Sequence, residues 1–131
     1  LFWLWYWLSP AALMAVIFFL SAQPTLPSVP GPWLDALLKK LAHASEYALL
    51  FLLFARAWRR SRGWRPAMAA AWLSTAAYAV SDELHQSLVP GRHANWYDVL
   101  IDVTGALFLW WLLRGERWHR LFGARDHNVA K

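Results

Sequence analysis

Asp82-Glu83-Leu84-His85-Gln86, then Pro90-Gly91-Arg92, then Asp98 and Asp102, form a dense run of ionisable side chains between two strongly apolar blocks at about 67–89 and 96–113. The reading of that run decides the fold. In a soluble chain it would be a solvated loop. Between blocks that could each cross a bilayer, charge is costly and is kept mainly for function or for a specific partner. The activity should therefore be sought here.

Working outward, the 131 residues are 59% apolar, with eleven Trp and no Cys. That length allows one domain, residues 1–131. The apolar share exceeds the roughly 45–50% of soluble domains. Without cysteine there are no disulfides or thiolate metal sites, and the redox compartment cannot be read. The chain begins at Leu1 rather than Met, which leaves room for a few residues upstream.

Two further blocks, at about 2–21 and 34–58, complete a set of four, each near the roughly 20 residues that a bilayer requires. Only the first is free of charge. The second carries Lys39, Lys40, His43 and Glu46 in its first half, the third Asp82 and Glu83 near its end, and the fourth Asp98 and Asp102 near its start. Such helices must bury their polar portions against one another. The expected architecture is an all-α, polytopic membrane protein, a compact bundle of four transmembrane helices. The first block lacks the basic flank of a secretory leader, so a retained helix is expected despite Ser21-Ala22-Gln23, which resembles a cleavage site.

Basic residues set orientation. Arg56, Arg59, Arg60, Arg62 and Arg65 lie between the second and third blocks, and Arg114, Arg117, Arg120, Arg125 and Lys131 follow the fourth. With alternating helices these share one side, together with Glu116 and Asp126, for a net +8. The other side holds Lys39, Lys40 and Arg92 against Asp35, Glu46, Asp82, Glu83, Asp98 and Asp102, a net −3. Both termini are expected in the cytoplasm of a cell whose inner or plasma membrane holds the protein. Trp33 and Trp96 would sit at the outer interface, and Trp58, Trp64 and Trp118 at the inner one. A pI of about 10.1 could suggest a nucleic-acid binder, but the arginines flank apolar spans and no recognition fold is visible. The lipid bilayer, with its anionic headgroups, is the expected partner of this basic collar.

Chain direction brings the polar residues of three helices to one depth on the outer side. Lys40, His43 and Tyr47 share a face at helical spacing, with Glu46 on its edge. Asp82 and Glu83 both flank the face of Gln86, and a rotation of about 100° exchanges them as the inward acid. Asp98, Asp102 and Gly105 form a stripe in which Gly105 would let a neighbouring helix approach closely. Val89-Pro90-Gly91-Arg92 reads as a turn, and Asn95 as the N-cap of the fourth helix. Simpler roles compete with function: Asp98 and Asp35 suit helix starts, Lys39 can snorkel, His85 can face headgroups, and Arg92 is either a loop cation or a clamp for carboxylate or phosphate. Glu83 and Asp102, deeper in their helices, would pair with His43, Lys40 or Arg92.

Lys40-x-x-His43-x-x-Glu46-Tyr47, Asp82-Glu83-Leu84-His85-Gln86, Pro90-Gly91-Arg92 and Asp98-x-x-x-Asp102-x-x-Gly105 resemble the VanZ-like family, as does the first helix ending in Ser21-Ala22-Gln23-Pro24. The resemblance covers nearly the whole chain. It implies a membrane location and an association with low-level teicoplanin resistance, but no settled reaction. It places the family's polar positions on Lys40, His43, Tyr47, Glu83, Gln86, Arg92, Asp98, Asp102 and Gly105, and favours Glu83 as the inward acid. Relatives often carry Phe or another bulky residue after the His. Here Ala44 stands in its place and would widen the site.

The leading functional expectation is an outward-facing polar pocket that binds or modifies an anionic envelope lipid or lipid-linked cell-wall precursor. Lys40, Glu46, Tyr47, Gln86 and Arg92 would hold the ligand, while His43, Glu83, Asp98 and Asp102 supply acid and base. Pro90, Gly91 and Gly105 would be structural. A metal-dependent membrane hydrolase is the second class, weakened by the lack of any H-E-x-x-H spacing. A proton-coupled carrier is the third, weakened by polar residues confined to one half and by the lack of an inverted repeat. A fourth makes the cluster a structural salt-bridge network. No cofactor is expected, since no P-loop, nucleotide fingerprint or serine-nucleophile motif occurs. Oligomeric state is not readable.

Overall fold

The computed structural model describes residues 2–92 and 94–113, in four packed α-helices: α1 (Phe2–Ser21), α2 (Pro32–Trp58), α3 (Trp64–Ser87) and α4 (Trp96–Leu113). The basic tail of Arg114, Arg117, Arg120, Arg125 and Lys131, with Glu116, Trp118 and Asp126, lies outside the described residues. α2 is the central helix, packed against the other three. The core accordingly gathers on it: Tyr47, Leu50, Phe51 and Ala55 are fully buried, against Ile17 of α1, Ala71 of α3 and Ala106 of α4.

Local chemistry fixes the helix ends. Pro32 opens α2, where a missing N–H costs nothing, and Asp35 in the first turn accepts the Val29 N–H at 3.0 Å. In α1 the interior Pro10 cannot bond the Tyr6 carbonyl four residues back, and the Ser9 hydroxyl donates to that oxygen instead at 3.3 Å. Val89–Arg92 forms a turn closed by Arg92 N–H donating to Val89 O at 3.1 Å, with Pro90 second and Gly91 third at φ 84°. This is the type II arrangement, which needs glycine at that place. Asn95 caps α4 by accepting the Tyr97 N–H at 3.2 Å.

The outer surface is apolar. Trp5, Phe19, Leu73, Leu84 and Phe108 are each more than half exposed. Among the described residues only Leu4–Ser21 is long and apolar enough to cross a bilayer by itself, with a mean hydropathy of 1.7. Of the charged residues on the other three helices, Asp82 and Asp102 are buried, while Lys40, Arg56 and Arg65 are exposed. At the end where α1 begins and α2 stops, Arg56 and Arg60 lie over the Tyr6 ring, at 5.1 and 5.0 Å. Arg59 lies over Trp64 at 5.2 Å and Arg62 over Trp58 at 4.7 Å, so this basic collar is held on aromatic faces.

Candidate functional site

At the opposite end the polar residues separate into two groups. The first is an interior hydrogen-bond network centred on Asp82. One oxygen of its carboxyl group, Oδ2, accepts from the Ser21 hydroxyl (2.8 Å), the Tyr47 hydroxyl (3.2 Å) and the Gln86 amide (3.1 Å). Ser21, Tyr47, Asp82 and Gln86 are all buried. The network ties α1, α2 and α3 together, helped by Tyr78 donating to the Met14 carbonyl at 2.6 Å.

The helix periodicity that left Asp82 and Glu83 interchangeable is resolved by this contact: Asp82, not Glu83, is the inward acid. Glu83 is half-buried and accepts the Asn95 N–H, joining α3 to the cap of α4. Nor does Tyr47 reach a ligand space, since its hydroxyl is spent on Asp82. Glu46 is half-buried off that space, within electrostatic range of His43 and Asp82. His85 stacks on Phe18 with ring centroids 4.0 Å apart.

The second group lines a cavity of about 200 Å³ between α2, α4 and the α3–α4 turn. Lys39, Lys40, His43, Gln86, Arg92, Asp98 and Asp102 form its polar wall. Lys40 pairs with Asp98 at 2.8 Å across the mouth, and Lys39 with Asp35 at 2.6 Å. Both pairs are partly exposed and contribute little to stability. Among the described residues Arg92 makes no carboxylate pair. Its guanidinium donates to the Gln23 and Leu20 carbonyls, at 3.0 and 3.3 Å, and to Gln86 Oε1 at 3.4 Å. It thus ties the α3–α4 turn to carbonyls at and just past the end of α1 while it also lines the cavity.

His43 and Asp102 face each other at the back. Nδ1 of His43 lies 3.7 Å from Oδ1 of Asp102, too far for a hydrogen bond. Both atoms are buried and, like Oδ1 of Asp82 and Nδ1 of His85, have no hydrogen-bond partner among the described residues, which in a buried polar group calls for an explanation such as a ligand, water or catalytic role. Four other acids, Asp82, Asp98, Glu83 and Glu46, act on Asp102 electrostatically.

Gly105 makes the crossing of α4 over α2 that brings Asp102 to His43. A Cβ placed on it would lie 2.4 Å from the Ala44 carbonyl oxygen. Among the described residues no group of three His, Asp or Glu side chains gathers as a metal set. A roomier space of about 440 Å³ lies at the other end of the bundle, walled by Phe51, Trp64, Met68, Trp72 and Trp110. It is apolar apart from Arg65 and holds none of this chemistry.

Sequence reasoning left Asp82 and Glu83 open as the inward acid, with the family resemblance favouring Glu83, and gave Ser21 no part in the polar site. A signal was present: Ala67, Ala71, Thr75, Ala79, Asp82 and Gln86 recur every three or four residues and are all buried. That small-residue stripe marks the inward face of α3 and carries Asp82 with it.

Four packed helices, an apolar exterior and a polar cavity at one end define a small all-α protein of membrane type. The chain belongs to the VanZ/LLP1 family, whose model matches residues 6–119, and is a membrane protein of that family. No curated protein and no solved structure matches it.

Proposed function

We propose that all four helices cross the membrane with both termini in the cytoplasm, and that the cavity receives the anionic headgroup of an envelope lipid or lipid-linked cell-wall precursor. The observation that carries this reading is the wall itself. Three cations, Lys39, Lys40 and Arg92, share a space of about 200 Å³ with His43 and the buried Asp102. Drug-sized ligands occupy roughly 300–1,000 Å³, so the space suits a phosphate or carboxylate headgroup rather than a whole ligand. Lys39 and Lys40 are long and partly exposed, free to swing from Asp35 and Asp98 onto a phosphate. Arg92 is already oriented by the α1 carbonyls and offers a fixed edge. The family's association with teicoplanin resistance is in keeping with a ligand built on the cell-wall precursor.

Binding needs only the cations. Modification of the ligand would use His43 and Asp102, whose facing atoms are otherwise unpartnered and suit the holding and passing of a proton between ligand and carboxylate. Asp98 would steer Lys40 rather than act as base. Glu83 is not in this set, because it is committed to the α4 cap.

Ligand that binds only the folded state stabilises it by mass action, about 2.7 kcal/mol at a hundredfold excess over Kd. Thermal unfolding in neutral detergent should therefore rise with added phosphatidylglycerol and stay flat with phosphatidylcholine. Lys39→Ala with Lys40→Ala should remove the rise. An equal response to both lipids would refute the reading.

A structural reading holds for the interior half of the cluster. The three donors on Asp82 are satisfied within the bundle, so Ser21, Tyr47 and Asp82 hold the helices together and leave the cavity to the second group.

A further inference from the structure

The polar cavity is too small to hold more than a headgroup, so the rest of the ligand must lie elsewhere. An apolar groove of about 460 Å³ runs along the seam of α2 and α4, walled by Ala44, Tyr97, Ile101, Thr104, Gly105 and Phe108. Ile101 also lines the polar cavity, so the two spaces adjoin across this one side chain. On α2 the step from one to the other is a single turn, from Lys40 to Ala44. On α4 the groove descends from Tyr97 to Phe108, about 16 Å at the helical rise. That is half of a hydrocarbon core of about 30 Å, the depth of one leaflet.

Its shape has an identifiable cause. Gly105 lets α4 press onto the Ala44 carbonyl, and the small side chains Ala44 and Thr104 leave a furrow between the larger Tyr97 and Phe108. Tyr97 stacks on Trp96 at 3.8 Å at the top of the furrow, where aromatic rings suit the membrane interface.

We propose that this seam holds one hydrocarbon chain of the ligand whose headgroup fills the polar cavity. The ligand is then a membrane lipid that reaches the cavity sideways from the outer leaflet, not a soluble anion arriving from water. The inference rests on the headgroup reading above and adds to it the class of ligand and its route.

The test uses the purified full chain in detergent, with dioleoyl phosphatidylglycerol and dihexanoyl phosphatidylglycerol as long-chain and short-chain probes of one headgroup. Thr104→Trp fills the furrow from an exposed position. Phe108→Ala, 58% exposed, removes its far wall without disturbing the core. Leu73→Trp on α3, 61% exposed, is the control. Native mass spectrometry should show the wild type holding the long-chain lipid about tenfold more tightly, since chain burial adds to affinity. Thr104→Trp should abolish that advantage while leaving the short-chain lipid bound, Phe108→Ala should reduce it, and Leu73→Trp should preserve it. Equal wild-type affinity for the two probes would overturn the proposal, and so would a long-chain advantage surviving in both groove variants. Those results leave the headgroup reading standing. That reading fails separately if Lys39→Ala with Lys40→Ala binds both probes as the wild type does.

Discussion

Gly105 of α4 lies against the backbone of Ala44 in α2, so near that a Cβ on the glycine would meet the Ala44 carbonyl oxygen at 2.4 Å and its Cα at 3.0 Å. Backbone cannot yield as a flexible side chain can. The two helices carry His43 and Asp102 one residue and one turn from this crossing, so its spacing sets the depth of the cavity.

Gly105→Ala should therefore force the helices apart and cost about 1–3 kcal/mol, the usual range for overpacking. Gly63→Ala is the comparison, because its Cβ would meet only Pro66 Cγ at 3.9 Å. Thermal unfolding in detergent should show a clear loss for the first and little change for the second. Equal behaviour would mean that the crossing is loose.

Asp82 and Asp102 are both buried acids, and they should respond oppositely to substitution. Asp82→Leu takes the acceptor from three donors, of which Gln86 keeps a longer bond to Ser21 at 3.4 Å, and a buried group left without its partner costs about 1–3 kcal/mol. Asp102→Asn replaces a buried carboxyl group whose Oδ1 has no hydrogen bond among the described residues and which other acids crowd, so stability should hold or rise. Unfolding of the two variants side by side decides the matter. A comparable loss in Asp102→Asn would place that residue in a satisfied network and remove the support for an acid–base couple with His43.

Much of this end of the molecule was legible in the sequence, and the failures are physical. Apolar blocks located four helices, and chain direction put Lys40, His43, Asp98 and Asp102 at one depth. Neighbouring positions on α3 differ by only about 100°, so periodicity alone left Asp82 and Glu83 open. The choice is made by Ser21, a residue of α1 more than sixty positions away. Arg92 was legible as a cation but not as a tie to α1, because its partners are backbone carbonyls, which every residue possesses. The ring pairs of Arg56, Arg59, Arg60 and Arg62 were likewise hidden, since a charge count fixes a side of the membrane and not a partner.

Arg92→Ala should loosen the end of α1. Hydrogen exchange over residues 20–26 should rise, with the centre of α2 unaffected. Arg92→Lys should not restore protection, because an ammonium cannot reproduce the planar fork that spans the Leu20 and Gln23 carbonyls. Unchanged exchange in Arg92→Ala would show that the end of α1 is held without Arg92.

Orientation is open to direct labelling, since the chain has no native cysteine. Val29→Cys, in the α1–α2 link, should react with an impermeant maleimide on intact cells. Ser61→Cys, in the α2–α3 link, should react only after permeabilisation. The reverse pattern would invert the topology and turn the polar cavity toward the cytoplasm.

The most direct measurement of headgroup recognition is the lipid that travels with the protein. Wild type and Lys39→Ala/Lys40→Ala would be reconstituted in nanodiscs of equal phosphatidylglycerol and phosphatidylcholine, then ejected into the mass spectrometer. Wild type should retain phosphatidylglycerol in preference, and the double variant should retain the two lipids alike. Retention in bilayer proportion by the wild type would contradict a cavity built to receive an anionic headgroup.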